Sequence, residues 1–367
     1  MFGVTVTFLI LSSVSWSDPP PGYYDPASGL TGPALQEALH DIIDDHTNIS
    51  YDAIWGAFYT TDDRNGNEVW DMYSDVPGGT PPYTYILGND QNQGGSAGGE
   101  GESYNREHSW PKSWFNDASP MNTDLFHIVP TDTYVNSKRE NEPYGEVNNP
   151  TWTSQNGSRL GPCSYPGYTG TAFEPIDGYK GDFARNYFYM ATRYLNEDGG
   201  WQGSAMADGA VLEPWAEAML IEWHLDDPVS TKEIERNEAV YIIQDNRNPF
   251  IDHPEFVLMV YDPNSVESGN PQTAITVLHQ NVPNPFHGIT SIGFTLSETA
   301  VISITVYDIH GRLIDTVAAS SQFAAGYQEL LWDGRTASGE QSAPGIYFFR
   351  LSSPDGVLTR SMIMIGD

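Results

Sequence analysis

Ser103-Tyr104-Asn105-Arg106-Glu107-His108-Ser109-Trp110-Pro111-Lys112-Ser113-Trp114-Phe115 sets a carboxylate, an imidazole and two cations within a few residues of one another. Further along come Asp124-Leu125-Phe126-His127-Ile128-Val129-Pro130 and Tyr134-Val135-Asn136-Ser137-Lys138-Arg139-Glu140-Asn141. Neighbours on a strand face opposite ways, so Glu107 and His108 flank a single ion only at a bent or twisted strand end. Asn136 follows closely on Pro130, where Thr131 or Asp132 would open a helix. A strand carrying the histidine and then a helix carrying the asparagine is a ββα skeleton. Glu and Asn offer oxygen, which suits a hard divalent ion that keeps several waters. His108 would then act as a base rather than a ligand, because neutral imidazole accepts a proton near pH 7. Arg106, Lys112, Lys138, Arg139 or Arg185 could hold a phosphate. The residues alone leave the alternatives open. A Glu-His pair is common and also fits a purely structural role, Trp110 and Trp114 read as core, and His127 divides evenly between a structural histidine and a functional one.

The rest of the chain bounds this reading. Its 367 residues suffice for two domains. The balance of 16 Lys+Arg against 49 Asp+Glu, net −33, is the reverse of a tight polyanion binder and leaves room only for a local basic patch. Cys163 is the only cysteine, which excludes an intrachain disulfide and a cysteine metal cluster. Residues 1–17 read as a signal peptide: an apolar run from Phe2 to Ser15 too short to span a bilayer, then small residues before Asp18, although no Lys or Arg precedes the run.

Thr31 opens a helix with Leu35, Leu39, Ile42 and Ile43 on one face. Tyr51–Tyr59 and Val69–Tyr73 flank an acidic turn at Asp62–Asn67 that lacks the closing glutamate of a calcium loop. Gly181–Tyr194 predicts an amphipathic helix with Phe183, Tyr187, Ala191 and Tyr194 as its buried stripe and Arg185 off it. Trp215, Met219, Leu220 and Trp223 mark another helix. Ser230-Thr231-Lys232-Glu233 is a capping box opening a third, which runs to Gln244. Composition shifts near Asp262. Residues 263–275 read as a Pro/Asn/Ser/Gly linker, and 276–367 as about seven short strands, a β-sandwich.

Asn105–Trp114, Asp124–Pro130 and Val135–Asn141 together resemble the bacterial endonuclease I family, secreted or periplasmic non-specific nucleases of the His-Me finger group. The resemblance continues through Phe173–Asp177, Lys180–Arg185, Tyr187–Met190, Asp227–Val229, Arg236-Asn237 and Asn246–Pro254. It implies an α+β catalytic domain over 18–262 built on a ββα-metal finger. Glu107 and Asn136 would be metal ligands, His108 the general base and Arg185 a catalytic, phosphate-holding or structural arginine. Arg106, Lys112, His127, Lys138, Arg139 and Asn141 are the candidates for substrate contact. It further implies magnesium (with calcium or manganese as alternatives), DNA and RNA as substrates, 5′-phosphate products and a monomer. Two departures stand out: Phe126 replaces a histidine of many members, and only Lys112 is basic in the interval where some members carry an extra arginine. The rival readings are an RNA-preferring nuclease and a catalytically silent surface-binding protein. Gln280–Phe286, Tyr307–Arg312 and Gly345–Tyr347 are similar to the Ig-like sorting domains of type IX secretion. That implies outer-membrane secretion machinery as a partner, a secreted or cell-surface location and no stable membrane insertion.

Overall fold

The structure, a computed structural model, describes residues 19–92, 94–263, 277–278, 281, 283–296, 299–308, 312–324, 326–353 and 356–366. The expected signal peptide and nearly all of the expected linker lie outside the described residues. The chain divides into two compact units, Met1–Tyr261 and Asp262–Asp367.

In the first unit, helix α1 (Gly32–Ile43) follows Thr31, whose extended backbone starts the helix without a side-chain cap, and Leu35, Leu39 and Ile43 are buried. Helix α2 (Ile54–Thr61) precedes a small hairpin, β1 (Asp63–Arg64) and β2 (Glu68–Val69), so the acidic stretch is a plain turn, with Asn65 and Gly66 both at positive φ. Strand β3 (Tyr104–His108) pairs antiparallel with β4 (Ile128–Asp132), and helix α3 (Thr133–Arg139) follows directly. Asp132 ends the strand and caps the helix, its Oδ1 accepting from the Val135 N–H at 2.8 Å. A three-stranded sheet, β5 (Trp152–Thr153), β6 (Arg159–Pro162) and β7 (Thr171–Glu174), leads to helix α4 (Lys180–Arg193).

Helix α4 departs from the amphipathic expectation. Every residue from Gly181 to Arg193 is buried, so α4 is a central helix packed on all sides. Asp182, Arg185, Thr192 and Arg193 find partners inside the protein, and the stripe of Phe183, Tyr187, Ala191 and Tyr194 is only one of its buried faces. A short hairpin of β8 (Ala207–Asp208) and β9 (Val211–Leu212) precedes α5 (Pro214–Asp226), which buries Met219, Leu220 and Trp223. Helix α6 (Thr231–Gln244) opens on the Ser230/Glu233 capping box with both legs made. No helix among the described residues is long and apolar enough to cross a membrane.

The second unit is all strand: β10 (Val277–Leu278), β11 (Thr290–Leu296), β12 (Ala300–Asp308), β13 (Leu313–Phe323), β14 (Gly326–Trp332), β15 (Gly345–Ser353) and β16 (Gly356–Met364). They form a sheet of order β10-β11-β14 and another of order β13-β12-β15-β16. Alternate residues of both sheets, among them Phe294, Ile304, Trp332 and Phe349, share one core, so the unit is an Ig-like sandwich.

Candidate active site

Register puts Glu107 opposite Val129 and His108 opposite Ile128 at the end of the β3/β4 pair. Strand periodicity gives Asn105 and Glu107 one face of β3, and Arg106 and His108 the other. On the first face the Asn136 amide of α3 donates from Nδ2 to Asn105 Oδ1 at 2.9 Å. The Asn136 Oδ1 makes no hydrogen bond to the described residues.

Glu107 is buried and held by two donors on the same oxygen: Arg139 Nη1 at 2.7 Å from Oε1 and Tyr73 Oη at 2.9 Å. No side-chain hydrogen bond falls on Oε2. Burial pushes the Glu107 carboxyl up from its ordinary value against the pull of Arg139. Burial also opposes the Arg139 charge, but Tyr144 and Glu107 outweigh it and hold the guanidinium protonated. At 2.7 Å the two side chains make a buried salt bridge. The remaining N–H groups of Arg139 go to the carbonyls of His108 (3.0 Å), Ser109 (2.7 Å) and Glu142 (3.1 Å) and to Tyr187 Oη (3.3 Å). The last residue of α3 thus ties that helix to the end of β3.

His108 Nε2 lies 3.3 Å from the Asn122 carbonyl. A carbonyl can only accept, so Nε2 carries the hydrogen and Nδ1 keeps its lone pair. Burial, and then His127 beside it, pulls His108 well below the ordinary histidine value, so the ring is neutral at pH 7. His127 is sealed in the core, its ring 5.3 Å from that of His108. Its Nε2 donates to the Met121 carbonyl at 2.7 Å. Two adjacent carbonyls of the Met121–Thr123 turn therefore fix two adjacent imidazoles.

The chain's residues 31–255, more than half its length, match the family model for endonuclease I. The chain belongs to the endonuclease I family. It is thereby a phosphodiester-hydrolysing nuclease. Residues 283–356 match the FlgD Ig-like domain. The chain is 36% identical over 242 residues to an extracellular ribonuclease of Bacillus subtilis (strain 168), covering 64% of this chain and 76% of that protein. It is 39% identical over 250 residues to an extracellular ribonuclease of Bacillus amyloliquefaciens, with the same coverage. The likeness to solved structures is weak, as with the dimeric latent PorU of Porphyromonas gingivalis: TM-score 0.23, 20% identity, 26% of this chain and 10% of that one.

In this endonuclease I domain not every expected site residue reaches the site. Arg185 corrects the reading that made it catalytic. It is fully buried, forked onto Glu233 through Nε and Nη2, with Nη1 on the Asp227 carbonyl and His224. No N–H points outward to a phosphate. Arg139 is corrected on the same ground, since Glu107 and three carbonyls occupy it. His127 is likewise too deep to touch substrate. Lys112 is exposed and pairs with Asp117 at 2.8 Å. Lys138 rests over the Tyr134 ring, 4.9 Å from its centroid, and Asn141 is exposed just past α3. Arg106 lies over the rings of Tyr51 and Trp55 at 3.6 and 4.5 Å.

The sequence reading did not place Tyr73, Tyr144 or Tyr187 at the site, although they wrap the Glu107–Arg139 pair. The available signal was the excess of 21 Tyr over 15 Phe, since a buried tyrosine implies a partner for its hydroxyl. Elsewhere His40, Asp44 and Glu197 could bring ligand atoms within 4.8 Å of one another. Arg193 Nη1 already sits 2.8 Å from Asp44 and 2.9 Å from Glu197, so a guanidinium balances those carboxylates.

Proposed function

We propose that this protein is an exported, magnesium-dependent, sequence-non-specific endonuclease that hydrolyses DNA and RNA to 5′-phosphate products, acting as a monomer. The observation that carries the catalytic part is the His108 ring: neutral, with Nε2–H tied to the Asn122 carbonyl and Nδ1 left as a lone pair. Such a ring takes the proton of a water as the water oxygen bonds to phosphorus. The P–O3′ bond breaks, and the departing 3′ oxygen takes a proton from solvent.

Glu107 and Asn136 would hold the ion. The oxygens on which no side-chain hydrogen bond falls, Glu107 Oε2 and Asn136 Oδ1, are the hard donors magnesium prefers. When bound, the ion would supply positive charge to the phosphate and the leaving oxygen. The chain's own contribution is orientation. Arg139 and Tyr73 fix the Glu107 carboxylate, Asn105 fixes the Asn136 amide, and the Met121–Thr123 turn fixes His108.

RNA is included because two relatives at 36% and 39% identity are extracellular ribonucleases, and the same names support secretion. The apolar N-terminus is read as the export signal and the Ig-like tail as a type IX sorting signal. A chain ending at Asp262 should then cut nucleic acid but stay in the cell, and normal export of that chain would remove the sorting role.

The deciding test is plasmid and RNA cleavage with and without EDTA, alongside His108→Ala. We expect EDTA to abolish cutting and His108→Ala to lower the rate ~10²–10⁴-fold at unchanged melting temperature. Undiminished cleavage by His108→Ala would take the base out of the mechanism.

A further inference from the structure

Between His108 and Asn136, Lys112 is the one Lys or Arg, and Arg139 and Arg185 are fully buried on internal partners. We infer that Arg106 is the cation that grips the reacting phosphodiester through its Nε/Nη2 edge, on a shelf built by Tyr51 and Trp55. The inference rests on the nuclease reading above and names the residue that reading leaves open.

Four observations converge on Arg106. Residues two apart on a strand share a face, which puts Arg106 beside His108, on the side of β3 away from Glu107. The guanidinium is held in place: Nη1 donates to the Tyr51 carbonyl at 2.7 Å, and the group lies over two aromatic rings. The Tyr51 ring is also near-parallel to that of His108, at 17° with centroids 6.1 Å apart, so one aromatic wall joins the cation to the base. Finally, no carbonyl or carboxylate of the described residues takes up the Nε/Nη2 edge, the guanidinium's one further hydrogen-bonding neighbour being the Tyr51 side chain. That edge presents two parallel N–H groups, the geometry that matches two oxygens of a phosphate. The one nearby carboxylate, Asp52, is almost fully exposed and 4.0 Å from Nη1, which leaves the free edge open.

Other cations fit less well. Lys138 is two residues from Asn136 on a helix, a spacing that does not bring side chains to one face. Lys112 is a solvated lysine already paired with Asp117. Arg106 alone among the expected cations combines fixation, proximity to His108 along one strand face and an edge that no carbonyl or carboxylate of the described residues takes up.

The test uses the full chain with Arg106→Met and Arg106→Lys. On one plasmid substrate Arg106→Met should lower kcat by ~10²-fold, the loss expected for one preorganised donor to developing charge. Arg106→Lys should fall between, because lysine keeps the charge and loses the two-pronged edge. Binding is read separately in a His108→Ala background, by anisotropy of a fluorescein-labelled duplex across a sodium chloride series. Adding Arg106→Met should reduce the slope of log affinity against log salt by about 0.9, one phosphate contact. A mere packing role on Tyr51 and Trp55 would lower the melting temperature and leave that slope alone, and that result overturns the inference. So does cleavage by Arg106→Met within about twofold of the unsubstituted protein. If the unsubstituted protein cuts neither plasmid nor RNA, the nuclease reading fails first.

Discussion

Arg139 Nη1 lies 2.7 Å from Glu107 Oε1; Arg139 is sealed from solvent and Glu107 is buried beside it with a small exposed remainder. A helix end and a strand end are thereby locked across a separation of 32 residues in sequence. Removing one partner of a buried ion pair leaves the other charge without compensation, which costs about 3–5 kcal/mol. Arg139→Met should therefore melt at markedly lower temperature and unfold at lower urea. Arg139→Lys should recover only part of the loss, since lysine cannot serve a carboxylate and several carbonyls at once. Equilibrium urea unfolding of the three proteins is the measurement, and equal midpoints would show that the pair contributes nothing to stability.

The metal ligands make a different prediction. Glu107→Ala and Asn136→Ala each delete an oxygen donor, so each should raise the magnesium concentration needed for half-maximal cleavage. Glu107→Ala should also destabilise the fold, because it orphans Arg139, whereas Asn136 is half-buried and bonded to Asn105 alone. Asn136→Ala is thus the cleaner probe. Isothermal calorimetry with magnesium checks it, and unchanged affinity in both variants would place the ion elsewhere.

The strand carrying His108 and the helix carrying Asn136 were legible because their signals are local: Asp132 ends β4 and caps α3. The Ser230 capping box was legible for the same reason. What the sequence hid was long-range pairing. Arg185 reads as a free cation until Glu233, 48 residues away, closes on it. The period of α4 suggested one buried stripe, but its polar positions bury as well, because Asp182, Arg185 and Arg193 each find a charge on another element. Hydrophobic periodicity carries no record of such partners. Arg139 was misjudged likewise: lying next to a site motif, it looked available to substrate, while its guanidinium was already spent on Glu107.

His224 gives a pH prediction with a defined sign. Burial, and then the adjacent Arg185, pulls it down to about 3. The folded protein keeps His224 neutral at pH 5, whereas the unfolded chain protonates it below about 6.5. The unfolded state then binds more protons, so stability from this group is full above about 6.5 and is lost as pH falls toward 3. Between pH 7 and pH 5 the loss is about 2 kcal/mol. Other groups titrate nearby; Asp71, pushed up to about 7 by burial, acts with the opposite sign. The difference between wild type and His224→Gln isolates the histidine. Wild type should lose more stability than His224→Gln over that interval in urea melts, and parallel curves would contradict the assignment.

Salt dependence follows from where the cations are. The chain carries only 16 Lys+Arg, and Arg139, Arg185, Arg236 and Arg247 are buried in internal ion pairs. Few are left to meet phosphates, and each contact contributes a slope of only about −0.9 in log affinity against log salt for duplex DNA. The net charge of −33 meanwhile repels a polyanion most strongly at low ionic strength, where screening reaches furthest. Substrate binding should therefore be weak with a shallow slope, and moderate salt should raise the cleavage rate before high salt lowers it. The measurement is the initial rate on one plasmid substrate, from low to near-molar sodium chloride at fixed magnesium. A steep monotonic fall from the lowest salt would mean that the cleft presents many more phosphate contacts than the surface cations of this structure provide.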